Sequence, residues 1–339
     1  MAAVAVFSLI LVLCSAAVSL ILVLPVVVAA ESLANHPPHA ARRFWLIANL
    51  LPLAGGFVLT CVAFLSQYGD ITATPHQASI RPHLCLLQLS TLPDAVFRFR
   101  LYALMASGLL VYALVRFVLS FLASRSAERL AHRLVEMNGE ATSSQPPVLT
   151  TSSTDNDCYS LGVSSPVIVM TSGLREVLGG LEVEAVLAHE RCHVRKRDNL
   201  LELVARLVTD SLVWLPTTHY YLHALRAAVE QTCDAESAQI HSAPVLISAL
   251  MKMEAVKKAR QLKLRGDLAQ LRPTFPGYAN PHKRISALSG EAFASVALPL
   301  RVIVGLETLA LAGILVWLAR PLHDTLYCAV NTLLTVLQI

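Results

Sequence analysis

The chain has 339 residues, 55% hydrophobic and 15% charged, with a formal net charge of +4 and a mean hydropathy of +0.57. These values exclude an ordinary soluble domain and point to several membrane spans joined to one modest polar domain. Nineteen of the 27 Lys and Arg fall between positions 125 and 284, mixed with acids and without interleaved aromatics, so direct nucleic-acid binding is not expected and the charge reads as a topology signal.

Residues 4–30 form an apolar run of 27 without a charge, long enough to cross a bilayer and unlike a signal peptide, which has a basic start and a shorter core. Pro25 is a candidate kink. Residues 31–43, with His36 and His39 around two prolines, read as a short polar turn; a proline-stiffened loop is a simpler reading of the two His than a metal site. A second span is expected at 44–65, a loop at 66–97 and a third span at 101–123. Beyond it, Leu130, Leu134 and Met137 recur at helical spacing among Arg and Glu, which predicts an amphipathic helix closed by Asn138 and Gly139. Residues 141–147 read as a linker. Residues 165–172 then read as a β-strand with Pro166 near its start, hence an edge strand, followed by a short helical turn at 174–178.

Residues 200–215 are apolar but interrupted by Glu202, Arg206 and Asp210, too broken to span; with Trp214, Pro216, Tyr220 and Tyr221 they read as interfacial. A further helix is expected at 219–239. The basic stretch 252–265 reads as a solvated helix face near anionic head groups. A fourth span is expected at 298–319, with 325–339 interfacial. Arg116 and Glu307 fall at similar depth in the third and fourth spans, where a lone charge costs roughly 3 kcal/mol or more, so they are candidates to pair. Seven Cys without a CxxC pair indicate neither a disulfide framework nor a thiolate zinc site. Cys192 and Cys233 read as small buried side chains off the face of the motif described next, and a bridge between Cys85 and Cys328 stays open.

The rest of the chain is organised around His189-Glu190-Arg191-Cys192-His193. Residues four apart share a helix face, so His189 and His193 can turn two imidazoles to one Zn2+, and Glu190 can act as the base toward a water that the metal activates. Glu182 and Glu184 suit the first turn of that helix. Two His leave zinc in need of a third protein ligand. Glu230 and Asp234, four apart on the next expected helix, share a face; Glu230 would be the ligand and Asp234 would accept the N–H of a ligand His. Asp198 fits either as a support for a ligand or as a surface acid near Arg195 and Arg197.

The stretch from HERCHVRKRDNLLELV through Trp214-Leu-Pro216 to VEQTCDAES resembles the BlaR/MecR-type membrane zinc metallopeptidases. Upstream, PVIVMTSGL and VEAVLAHE are similar to the HtpX-like membrane peptidases. The resemblance implies His189, His193 and Glu230 as zinc ligands, Glu190 as base and Asp234 as support. It also aligns Asn280-Pro281 and Arg284 with a later motif, where Asn280 stands in place of the usual His and Arg284 either stabilises an oxyanion or braces the domain. Antibiotic sensors of that family carry a penicillin-binding domain after the last span. About twenty residues follow Ala319 here, so the expectation is the membrane protease module without that sensor.

The expected fold is therefore mainly α and integral to the cell membrane. It has three transmembrane helices within 1–123, a cytoplasmic α+β, zincin-like metalloprotease domain with a small edge-strand sheet at 124–297, a fourth span at 298–319 and a tail at 320–339. The amino terminus is expected outside and the protease domain in the cytoplasm. Val167, Val169 and Thr171 are expected to hold an extended substrate by main-chain pairing. Partners expected are a protein or peptide substrate and the lipid bilayer; a regulatory protein and a second copy of the chain stay open.

Overall fold

The structure, a computed structural model, describes residues 2–33, 36–71, 93–137, 146–152, 156–264 and 281–289, with isolated positions beyond. Most of the expected fourth span, the tail, Glu307, Asn280, Cys85 and Cys328 lie outside the described residues. Three long helices come first: α1 (Ala2–Ser32), α2 (Pro38–Ile71) and α3 (Pro93–Met137). Two segments, Pro38–Cys61 and Ala103–Glu136, are long and apolar enough to cross a bilayer, and α1 adds a shorter apolar segment, Phe7–Val23. Ile21, Phe57, Leu104, Met105 and Leu119 stand exposed on these helices, a surface that suits lipid rather than water. At Gly56 an added Cβ would fall 2.1 Å from Ser15 Oγ; the missing side chain lets α1 and α2 touch backbone to backbone.

Two sequence expectations shift here. The turn after α1 is shorter than expected, because Pro38 is already helical and Arg42 and Arg43 belong to α2 rather than to a loop; proline is well suited to a first helical turn. The third span and the amphipathic helix after it are one helix of 45 residues, since no proline interrupts the sequence between them.

The sheet holds β1 (Val148–Thr151), β2 (Cys158–Leu161) and β3 (Val167–Thr171) in the order β1-β3-β2. β3 pairs parallel with β1 and antiparallel with β2, so it is central, and the expectation of an edge strand fails. Pro166 precedes the strand and removes no ladder donor. All five residues of β3 are buried, which explains a continuous apolar run where a half-solvated strand would alternate. Val167 and Val169 pack with Leu149 against Ala131 and Val135 of α3. Ile168 and Met170 face the opposite layer, with Leu174, Val186 and Leu187. The β2–β3 turn is tied to α3 by Glu128, whose carboxylate accepts the backbone N–H groups of Val163, Ser164 and Ser165 at 3.0, 3.1 and 2.7 Å.

Helices α4 (Ser172–Val177), α5 (Gly180–Lys196), α6 (Asp198–Ser211), α7 (Pro216–His241), α8 (Ala243–Leu264) and α9 (Pro281–Leu288) follow. Residues 200–215, expected at the interface, turn one face into the helical bundle, while Val213 and Trp214 stand exposed. Val208, Leu212 and Leu215 are buried with Ala16 of α1, and Tyr221 and Leu225 of α7 with Trp45 and Ala48 of α2. Buried polar groups find partners within the bundle: Asn49 Nδ2 donates to Thr209 Oγ1 at 3.4 Å, and Ser19 and Thr217 hydroxyls meet at 3.3 Å. Arg116 of α3, the expected partner of Glu307, stands 3.8 Å from Asp210 of α6.

Candidate metal centre

Helix α5 is fixed at both ends. At its start Glu182 accepts the Gly179 N–H and the Lys252 ammonium, each at 2.7 Å, and Ser248 at 2.6 Å; the Lys252 contact above all holds that carboxyl down at about 2. At its end Arg197 turns into the left-handed region, φ 54, and its N–H closes on the carbonyls of His193 and Val194. Between the two ends, Ser237 Oγ of α7 donates to Ala185 O at 2.6 Å. That bond sets the register of α7 against α5 and brings Glu230 opposite the two His.

The imidazoles converge. Nε2 of His189 and Nε2 of His193 lie 3.0 Å apart, and the Glu230 carboxylate stands 3.5 Å from the first and 3.7 Å from the second. A tetrahedral zinc with Zn–N of about 2.0–2.1 Å spaces its ligand atoms by roughly 3.3 Å. Two imidazole nitrogens and the Glu230 carboxylate, with one ligand atom from each within 4.8 Å of the others, would suit one zinc ion. His189 and Glu190 are 5% and 8% exposed.

Each imidazole turns Nδ1 to an aspartate. Asp234 Oδ1 lies 3.0 Å from His189 Nδ1, and Asp198 Oδ2 lies 2.9 Å from His193 Nδ1. The His193 contact has hydrogen-bond geometry and can fix that ring's tautomer, leaving its Nε2 free to bind metal; the His189 contact is a close approach without hydrogen-bond alignment. Arg284 of α9 donates Nε and Nη2 to the two oxygens of Asp234 at 2.8 and 2.5 Å, and its Nη1 stands 3.2 Å from Glu230. Charge follows this packing. Burial pushes the His189 imidazole down, but its close contacts with the Asp234 and Glu230 carboxylates outweigh this and lift it to about 10. Burial lowers His193 as well, and the Asp198 hydrogen bond raises it overall. Burial would raise Glu230 and Asp234, yet the His189 contact and Arg284 hold the first at about 2 and the second well below the usual range. Glu190 goes the other way, raised by burial.

The described geometry thus brings His189, Glu190, His193, Asp198, Glu230, Asp234 and Arg284 together. Val167, Val169 and Thr171 stand apart from them in function: β3 is paired on both sides, so it has no free edge for a substrate, and its side chains fill the core. Among the described residues β2 is the strand on the motif side. Burial first, and then the charge of Glu190, push the Cys158 thiol of β2 up. Two contributors carry little or no signal in the sequence. Cys233 is buried as expected, but its Sγ lies 3.5 Å from His193 Nδ1 and 3.7 Å from Asp198 Oδ2; its place one residue before Asp234 is the only hint. Arg42 of α2 donates Nη2 to Asp198 Oδ1 at 2.6 Å, and nothing local in the sequence marks it.

His193, Asp198 and Cys233 also cluster closely enough to suggest a metal. In that cluster His193 Nδ1 and Asp198 Oδ2 are already bonded to each other at 2.9 Å, whereas the His189, His193 and Glu230 set has the Glu190 carboxylate within electrostatic reach of both imidazoles, which makes it the better candidate.

Comparison with known proteins gives the family of the chain. A protease HtpX homologue from Dictyoglomus thermophilum is 29% identical over 126 residues, which cover 36% of this chain and 41% of that protein. The crystal structure of S. mikatae Ste24p aligns at 13% identity and a TM-score of 0.34, covering 83% of this chain and 98% of that one. The family described as BlaR1 peptidase M56 matches residues 9–263, well over half of the sequence. The chain belongs to the BlaR1 peptidase M56 family.

Proposed function

We propose that this protein is a membrane-embedded zinc endopeptidase acting near the cytoplasmic face of the bilayer, in regulated proteolysis of a repressor, of itself or of a membrane protein. One observation carries the reading: ligand atoms from two helices converge, the Nε2 atoms of His189 and His193 lying 3.0 Å apart and the two Glu230 carboxylate oxygens reaching one each, at 3.5 and 3.7 Å. When bound there, zinc would polarise the scissile carbonyl and lower the pKa of water. Glu190 takes the proton from the attacking water and passes it to the leaving amine; its raised pKa brings it nearer to neutral pH, where a general base works best. Asp234 and Asp198 keep the imidazole N–H groups turned away from the site. Arg284 braces Asp234 and Glu230 and sets a positive charge beside the reacting carbonyl.

An extended substrate would pair with β2 rather than with β3. Support comes from the position of β2 at the sheet margin and from the reach of the Glu190 charge to Cys158. Part of that edge is already used, since Asn199 Nδ2 donates to Ser160 O at 3.2 Å. The cytoplasmic orientation rests on the basic residues between positions 125 and 284.

A second reading, degradation of damaged membrane proteins, is favoured by the similarity to the HtpX homologue. Proteomics of cells carrying wild type or Glu190→Gln separates the two. One or two cleaved regulators support the first reading, and broad accumulation of membrane proteins in the variant supports the second. An unchanged proteome with unchanged signalling would favour a non-enzymatic transducer.

A further inference from the structure

We propose that Arg42, a residue of membrane helix α2, is a positioning residue for the metal centre: through Asp198 it fixes the ring of His193. This rests on the reading of His193 as a ligand. Arg42 Nη2 makes two contacts where the motif helix ends. It donates to the Lys196 carbonyl at 3.2 Å and to Asp198 Oδ1 at 2.6 Å. Lys196 is the last residue of α5, whose final carbonyls have no partner within the helix, and a cation there also complements the helix dipole. Asp198 opens α6 and is 6% exposed. Its second oxygen holds His193 Nδ1 at 2.9 Å. With one oxygen on a guanidinium and the other on an imidazole, the carboxylate is fixed between them, and the ring it orients is fixed with it.

Charge explains why an arginine is needed. A buried carboxylate facing only a neutral imidazole would be uncompensated, and that is costly. A guanidinium supplies the charge and a planar set of donors; an ammonium would supply the charge alone. Membrane topology does not account for it. The neighbouring Arg43 is exposed and would serve the positive-inside preference equally well, whereas Arg42 is turned in, with its side chain 17% exposed.

Helix α2 is itself anchored to the other ligand-bearing helix. Trp45, one turn on from Arg42, packs its ring 5.9 Å from Tyr220 and 6.0 Å from Tyr221 of α7, the helix that carries Glu230. The position of α2 therefore bears on both halves of the site, and a movement of α2 reaches the metal through a single carboxylate.

The test uses the full chain in detergent, stripped of metal and reloaded. Zinc affinity is measured by chelator competition, and the site is filled with Co2+ to read its visible absorption. Arg42→Ala is expected to weaken zinc binding about tenfold and to shift the cobalt bands. Arg42→Lys recovers part of the affinity, and Arg43→Ala matches wild type. Should Arg42→Ala be recovered unfolded, Arg42→Gln, which keeps a donor for the Lys196 carbonyl, is read by the same criteria. Wild-type affinity and an unchanged cobalt spectrum in the folded variant, with binding abolished in His193→Ala, would overturn the proposal and leave the ligand reading intact. Wild-type affinity in His193→Ala would overturn the ligand reading and the proposal with it.

Discussion

His189 and His193 each turn Nδ1 to an aspartate, and each aspartate is gripped by an arginine, but the two arginines come from opposite ends of the chain. Arg284 of α9 holds Asp234 with two nitrogens and also stands 3.2 Å from Glu230 and 3.5 Å from His189 Nε2. Arg42 of α2 holds Asp198 with one nitrogen and touches neither imidazole; its other contact is the end of α5. One arginine therefore acts inside the site, beside the atoms that would bind metal. The other acts on the scaffold that carries a ligand. The same charge pattern, used twice, ties the centre to α9 and to α2, which carries one of the segments long and apolar enough to cross a bilayer.

The largest effect should come from a change that leaves both arrangements whole. Glu190→Gln keeps His189, His193 and Glu230, so zinc content stays at the wild-type level while turnover drops about 10²–10⁴-fold. Peptide cleavage measured together with metal content checks this. Next come the aspartates. Asp234→Asn leaves Glu230 as the carboxylate that pairs with Arg284, pulling a proposed ligand toward the guanidinium, and is expected to weaken zinc binding toward the upper part of the roughly 10–100-fold range for such partners. Asp198→Asn, farther from the other ligands, falls toward the lower part. Equal losses in a chelator titration would erase the distinction between the two arms.

Protonation sharpens the comparison further. Without metal His189 is lifted from its ordinary 6.5 to about 10. A raised pKa gives stability that is complete below the unfolded value and is lost as pH rises through the folded one. The metal-free chain should therefore lose thermal stability between about pH 6.5 and 10. The zinc-loaded chain, whose His189 has already given up its proton, should not show that loss. Glu230 and Asp234 have the opposite sign: what Glu230 contributes is complete above its ordinary 4.5 and is lost as pH falls from there to about 2, and Asp234, also held down, follows in the same direction. Melting curves of both forms across pH measure this directly. The smallest effect is structural: Ser237→Ala removes the bond to Ala185 O and should cost about 1 kcal/mol in denaturant unfolding.

Relations between residues close in the chain, or spaced by helical turns, are legible in the sequence itself. The four-residue spacings of His189 with His193 and of Glu230 with Asp234 are enough to put each pair on one face. What is not legible depends on packing between distant segments. Arg42 lies 156 residues from Asp198 and in sequence looks like any basic residue flanking a span. Pro166 suggests an edge strand, but the order of strands is decided by β1 and β2 closing on both sides of β3. The charged breaks in residues 200–215 argue against a span because hydropathy assigns no partner to Glu202 or Asp210; Arg206 and Arg226 donate to the first, and Arg116 of α3 stands 3.8 Å from the second.

The most direct measurement is zinc X-ray absorption on the purified chain, with metal counted per polypeptide. One zinc per chain is expected, with two imidazole nitrogens at about 2.0–2.1 Å and carboxylate or water oxygens completing the sphere. Glu230→Ala should lose an oxygen ligand and most of the affinity. A sulfur neighbour at about 2.3 Å, which would put the ion on Cys233, or a protein that binds no zinc with all three ligands present, would contradict a centre built from His189, His193 and Glu230.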